Sequence, residues 1–188
     1  MFRPIKYSFF LLVFLSFYGC GQETSIAPWD FREVDTETWF PATVPGNVHT
    51  DLMDNDLLPD PFIGTNELEV QWVEEKDWEY HTTFLLSSRL MENDHIDMIF
   101  EGLDTYADVF LNDSLILQAN NSYVPWTIDI KNLIKADTND LRIKFSSAVR
   151  IGQEKLEELP YLIPNANEIK PDGTRNSIFT RKAQYHFG

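Results

Sequence analysis

Leu141-Arg142-Ile143-Lys144-Phe145-Ser146 alternates apolar and polar side chains without a break. Successive side chains of a strand point to opposite faces, so a period of two describes a strand with one buried and one solvated side. The same rhythm recurs on either side of it. Ile96, Met98 and Phe100 are spaced by Asp97 and Ile99. Tyr106–Leu111 and residues 114–118 flank Asn112-Asp113, a pair that tolerates the positive φ angles of a two-residue turn, which predicts a hairpin. Trp78–Leu86 and residues 126–130 add two more strands. Two stretches break the pattern. Residues 47–56 follow Pro45-Gly46, and residues 148–159 carry Val149, Leu156 and Leu159 among charged residues before Pro160, so each reads as a short helix. Several short strands, one or two short helices and no internal repeat point to an all-β, antiparallel sandwich. Residues 161–177, with Pro164, Pro171 and Gly173, read as a polar loop.

The chain has 188 residues, room for one domain of ordinary size, and its 43% apolar content suffices for a core. A net charge of -15 with no basic stripe excludes nucleic-acid binding and leaves neutral or cationic partners. Glu154, Glu157 and Glu158 read as a solvated helix face. There is no glycine-rich phosphate loop and no Gly-x-Ser-x-Gly turn. His49, His81 and His95 show no ligand spacing, so neither a metal nor a cofactor is expected. Trp29, Trp39, Trp72, Trp78 and Trp126 offer either a sugar-stacking platform or ordinary core; in a sandwich the core is the better expectation.

The first residues form a separate piece. Arg3 and Lys6 precede an apolar run over residues 9–17, and Gly19-Cys20 closes it, the pattern of a secretory signal over residues 1–19. The run is short for a membrane span. Cys20, the sole cysteine, has no disulfide partner and stands where a bacterial lipoprotein is cleaved and lipidated. The expectation is an exported chain, periplasmic or at the cell surface, anchored at Cys20, with residues 20–27 as a tether and residues 28–188 as the domain.

An ordered series of segments resembles the β-mannosidases of glycoside hydrolase family 2. It begins with Val44-Pro45-Gly46-Asn47-Val48-His49-Thr50-Asp51-Leu52 and continues through Pro59-Asp60-Pro61-Phe62, Gly64-Thr65-Asn66-Glu67, Val70-Gln71-Trp72-Val73-Glu74 and Asp77-Trp78-Glu79-Tyr80. Gly102-Leu103-Asp104-Thr105-Tyr106-Ala107, Trp126, Glu154-Lys155-Leu156 and Ser177-Ile178-Phe179-Thr180-Arg181-Lys182 follow. The Val-Gln-Trp-Val-Glu and Arg-Lys-Ala segments resemble β-mannosidases more than β-galactosidases or β-glucuronidases.

The resemblance implies a galactose-binding-domain-like jelly roll whose last strands lie outside this sequence, followed in the complete enzyme by sandwich domains and a catalytic barrel. Retaining glycosidases use two carboxyl groups roughly 5 Å apart; the family carries both on the barrel, so no catalytic residue is expected here. Asn66-Glu67, Glu74-Glu75 and Glu157-Glu158 read as structural or solvated. In the family a Trp-Asp-Trp-Gly sugar-site sequence follows the segment matched by Tyr185-His186-Phe187-Gly188. The resemblance therefore implies substrate-binding roles for Arg181, Tyr185 and His186 as one shoulder of a mannose pocket, or packing of Tyr185 and His186 against the barrel. Lys182 and Phe187 read as exposed and packing residues. The partners implied are β-mannoside glycans and the barrel domain. The rival expectation is a free-standing carbohydrate-binding surface lipoprotein.

Overall fold

The computed structural model describes residues 24–161. They form nine strands: β1 (Thr24–Ile26), β2 (Trp29–Glu33), β3 (Phe40–Ala42), β4 (Trp78–Leu86), β5 (Asp97–Phe100), β6 (Tyr106–Leu111), β7 (Ser114–Ala119), β8 (Trp126–Asp129) and β9 (Asn139–Ser146). Three helices accompany them, α1 (Val48–Asp54), α2 (Ser88–Met91) and α3 (Ala148–Glu157). Every strand pair is antiparallel. The main sheet runs β3-β2-β4-β9-β6-β7, with β1 also paired to β4, and β5 and β8 form a second, two-stranded sheet. The fold is the all-β antiparallel architecture that the alternation dictates.

β9 and β4 make the spine, paired from Trp78↔Phe145 to Phe84↔Asn139. Along β9, Leu141 and Ile143 are buried while Arg142 and Lys144 lie half-exposed on the other face. Ala107, Val109 and Leu111 of β6 are buried on the same period. The Asn112-Asp113 turn takes φ angles of 50° and 66°, the left-handed geometry a two-residue hairpin requires. Asn112 does more than turn the chain: its amide donates to Leu133 O and Asn139 Oδ1, and its own oxygen accepts from Asp140 N. Asn139 is 0% exposed and fully partnered, accepting also from Lys135 N and donating to the carbonyls of Lys135 and Asp137.

Caps fix the helices. Asn47 accepts from Thr50 N at the start of α1, Ser87 from Leu90 N at α2 and Ser147 from Arg150 N at α3. Ser147 also donates to Glu74 O and its N–H reaches Asp77, which ties α3 to the 71–75 turn. Both expected helices form: α1 leaves Asn47 as its cap and ends two residues short of its window, and α3 begins where expected and also ends two residues early.

One expectation changes, and other elements are added to those expected. Thr24–Ile26, within the segment expected as a tether, pairs with Phe84, Leu85 and Leu86 as β1. Trp29–Glu33 and Phe40–Ala42, not anticipated, continue the sheet beyond β4. Asn66-Glu67, read as structural, begins a 3-10 helix over Asn66–Leu68. The polar loop expected at 161–177 falls, past Tyr161, outside the described residues.

Candidate functional site

An open-sided cavity of about 1010 Å3 lies between the two sheets. Tyr80 and Phe84 of β4, with Ile143 and Phe145 of β9, form one wall; Met98 and Phe100 of β5 face them. The Val44-Pro45-Gly46-Asn47 loop closes one side. The walls are mainly apolar, with His49, Glu74, Lys76, Asp97, Glu101 and Asp104 also among the lining residues.

The rim is held by a buried carboxylate. Asp51 is 1% exposed; its Oδ1 accepts from Thr43 N at 2.9 Å and its Oδ2 from the Tyr80 hydroxyl at 2.8 Å. One residue thereby fastens α1, the loop before it and β4. Burial, reinforced by the hydrogen bond and charge of Asp51, pushes the Tyr80 phenol far above its ordinary range, so it stays a donor. Gly46 sits where a Cβ would come within 2.2 Å of Thr43 O, which explains glycine in this loop.

The opposite face of the main sheet is polar. Glu79, 5% exposed, receives Arg32 Nε at 2.7 Å, with Arg142 Nη1 at 3.4 Å from its second oxygen. His81 Nε2 lies 2.6 Å from Asp140 Oδ2. Trp39 packs under Arg32, whose guanidinium carbon is 4.3 Å from the ring centre, and beside His81 at 5.6 Å. His95 Nδ1 lies 2.6 Å from Asp129 Oδ2 at the start of the second sheet.

The tryptophans do not make one platform. Trp78 is buried and donates to Val73 O, Trp126 donates to Asn121 O, Trp29 packs on the core, Trp39 lies on the polar face and Trp72 tilts against Trp78. Asp104 accepts from the Thr105 hydroxyl, a local structural contact. Glu67, Glu75, Glu157 and Glu158 are exposed. Among the described residues no three His, Cys, Asp or Glu side chains converge as a metal site, and no helix is long and apolar enough to cross a membrane. Arg181, Tyr185 and His186, the expected pocket shoulder, and Cys20, the expected lipidation site, lie outside the described residues.

The Asp51–Tyr80 link was not anticipated. Asp51 stands in the motif that opens α1, but its partner is 29 residues away and nothing local names it.

Residues 29–188 match the family model described as glycosyl hydrolase 2 galactose-binding domain-like. The chain belongs to that family. Among characterised relatives, it is 39% identical over 163 residues to β-mannosidase B of Thermothelomyces thermophilus, covering 85% of this chain and 18% of the relative. With β-mannosidase B of Aspergillus terreus it shares 35% over 172 residues, 89% of this chain and 20% of the relative. The crystal structure of a β-D-mannosidase from Dictyoglomus thermophilum superposes with a TM-score of 0.74 at 36% identity, over 78% of this chain and 18% of that one. The chain thus spans about a fifth of the length of these β-mannosidases.

Proposed function

We propose that this chain is the non-catalytic amino-terminal module of an exported, retaining β-mannosidase that removes terminal β-D-mannosyl residues, and that by itself it does not hydrolyse glycosides. The observation that carries the proposal is 36% identity at a TM-score of 0.74 to a β-mannosidase of which the chain covers 18%. The two buried carboxylates among the described residues support it: Asp51 and Glu79 are occupied by hydrogen bonds or ion pairs that serve the fold.

In this reading the acid/base and nucleophilic carboxyl groups, roughly 5 Å apart in a retaining enzyme, belong to a barrel. The module closes one side of the pocket, with Arg181, Tyr185 and His186 as its shoulder. Additional strands from the rest of the enzyme complete the sandwich and fill the cavity between the sheets.

The test is a chimera in which this chain replaces the corresponding region of the D. thermophilum β-mannosidase, assayed on 4-nitrophenyl β-mannoside beside the isolated chain. The chimera turns over, the isolated chain does not, and Tyr185→Ala and His186→Ala in the chimera change KM or kcat. Turnover by the isolated chain that a substitution within it abolishes sinks the claim of inactivity.

A further inference from the structure

The loop from Asp60 to Leu68 spends its polar groups on itself and turns its apolar side chains outward. Asp60 Oδ1 accepts from Phe62 N at 2.9 Å, Asp60 O accepts from Asn66 Nδ2 at 2.9 Å and from Ile63 N at 3.2 Å, and Ile63 O accepts from Asn66 N at 3.2 Å. Gly64 takes φ +61°, which a side chain there would resist. On this braced loop Phe62 is 94% exposed, and Ile63 and Leu68 are each 62% exposed. Scattered exposed apolar residues need no explanation. Three held outward on one internally bonded loop do, because water gains nothing from the bracing while a docked surface does.

The acidic sequence that carries the loop selects the occupant. Residues 54–75 contain seven carboxylates, Asp54, Asp56, Asp60, Glu67, Glu69, Glu74 and Glu75, and no Lys, Arg or His. A second copy, from a chain of net charge -15, would bring carboxylates against carboxylates, and an anionic membrane or nucleic acid would be repelled likewise. We infer that the Asp60–Asn66–Leu68 loop is a docking face for a protein surface with an apolar seat and a Lys/Arg rim, supplied by the catalytic portion that makes up most of the longer β-mannosidases. The inference rests on the module reading above and adds to it which surface of the module meets the rest of the enzyme.

The experiment uses the same chimera and the isolated 188-residue chain, each with Phe62→Ser and Ile63→Ser. In the isolated chain neither substitution moves the melting temperature, since both side chains already face water. In the chimera each shortens the half-life of thermal inactivation by about threefold or more, as loss of an interface residue does, and raising the salt concentration shortens the unmodified chimera's half-life as well. A chimera that turns over but whose inactivation is indifferent to both substitutions overturns the docking face alone. An unmodified chimera without turnover overturns the module reading. An isolated chain that is dimeric by light scattering and becomes monomeric with Phe62→Ser overturns the inference in favour of a second copy.

Discussion

The Tyr80 hydroxyl donates to Asp51 across 29 residues of sequence, and both groups are buried. The bond joins the first helix to the central strand of the main sheet. Its removal leaves a carboxylate oxygen without a donor in a place water does not reach. Tyr80→Phe is therefore expected to cost about 1.5–3 kcal/mol, seen as a lower urea midpoint with an unchanged slope. A variant as stable as the parent would show that the contact carries no net stabilisation.

Asn139 is the interior counterpart on β9, with both ends of its amide bonded to the 135–137 turn and to Asn112. Asn139→Leu removes those partners and strands several buried groups, at roughly 1–3 kcal/mol for each group left unsatisfied. Hydrogen exchange at the Asn112-Asp113 hairpin should accelerate with it. Unchanged exchange there would mean that the turn is held by its own strands.

His95 and Asp129 give the second sheet a pH signature. The hydrogen bond from His95, with the N–H groups of Lys131 and Ile96, holds the Asp129 carboxyl down at about 2, and its bond to Asp129 raises His95 above the ordinary 6.5. A raised histidine contributes fully below 6.5 and loses its contribution as pH climbs through its folded value. A depressed aspartate contributes above 3.8 and loses it as pH falls toward 2. The pair is thus at full strength between 3.8 and 6.5. Asp129→Asn should lower the His95 titration midpoint in a proton NMR series toward 6.5. A midpoint that stays put would assign the shift to other charges.

Export and lipidation are open to a direct check. Expressed in a bacterium and labelled with palmitate, the chain is expected to incorporate label and partition with membranes, and Cys20→Ala to abolish both. Label retained by the variant would remove Cys20 as the acceptor.

The cavity between the sheets predicts behaviour in solution. Apolar walls around about 1010 Å3 should bind a dye such as anilinonaphthalene sulfonate. Fusion to the polypeptide that follows the equivalent region in the D. thermophilum enzyme should suppress that binding and raise the melting temperature. Undiminished dye binding would mean that the added strands do not enter the space.

The strands legible in the sequence are those where period-two alternation persists, Tyr106–Leu111 and Asn139–Ser146 above all. Trp29-Asp30-Phe31-Arg32-Glu33 alternates too, but over five residues, and β1 and β3 have three each, too few for the pattern to emerge. Their strand state comes from pairing with β4 and β2, a tertiary fact. The α1 helix was legible through the Pro45-Gly46 that precedes it and the α3 helix through its apolar spacing and Pro160, signals that are local, while the caps at Asn47 and Ser147 emerge in the structure. The rim was not. Asp51 reads as one more acid in a helix until β4 places Tyr80 above it. The outward face of Phe62 was equally hidden, since an aromatic residue in a sandwich sequence reads as core until its loop is seen to close on itself.

The short strand β1 has a mechanical meaning. Drawn from its N-terminal side, the polypeptide loads three residue pairs between β1 and β4, with the Ala27 and Thr82 hydrogen bonds just behind them. Only after that clasp yields does tension reach β2, and the seven-pair seam between β4 and β9 lies one strand further in. Tension from that end therefore meets three residue pairs before the longer seams of the sheet.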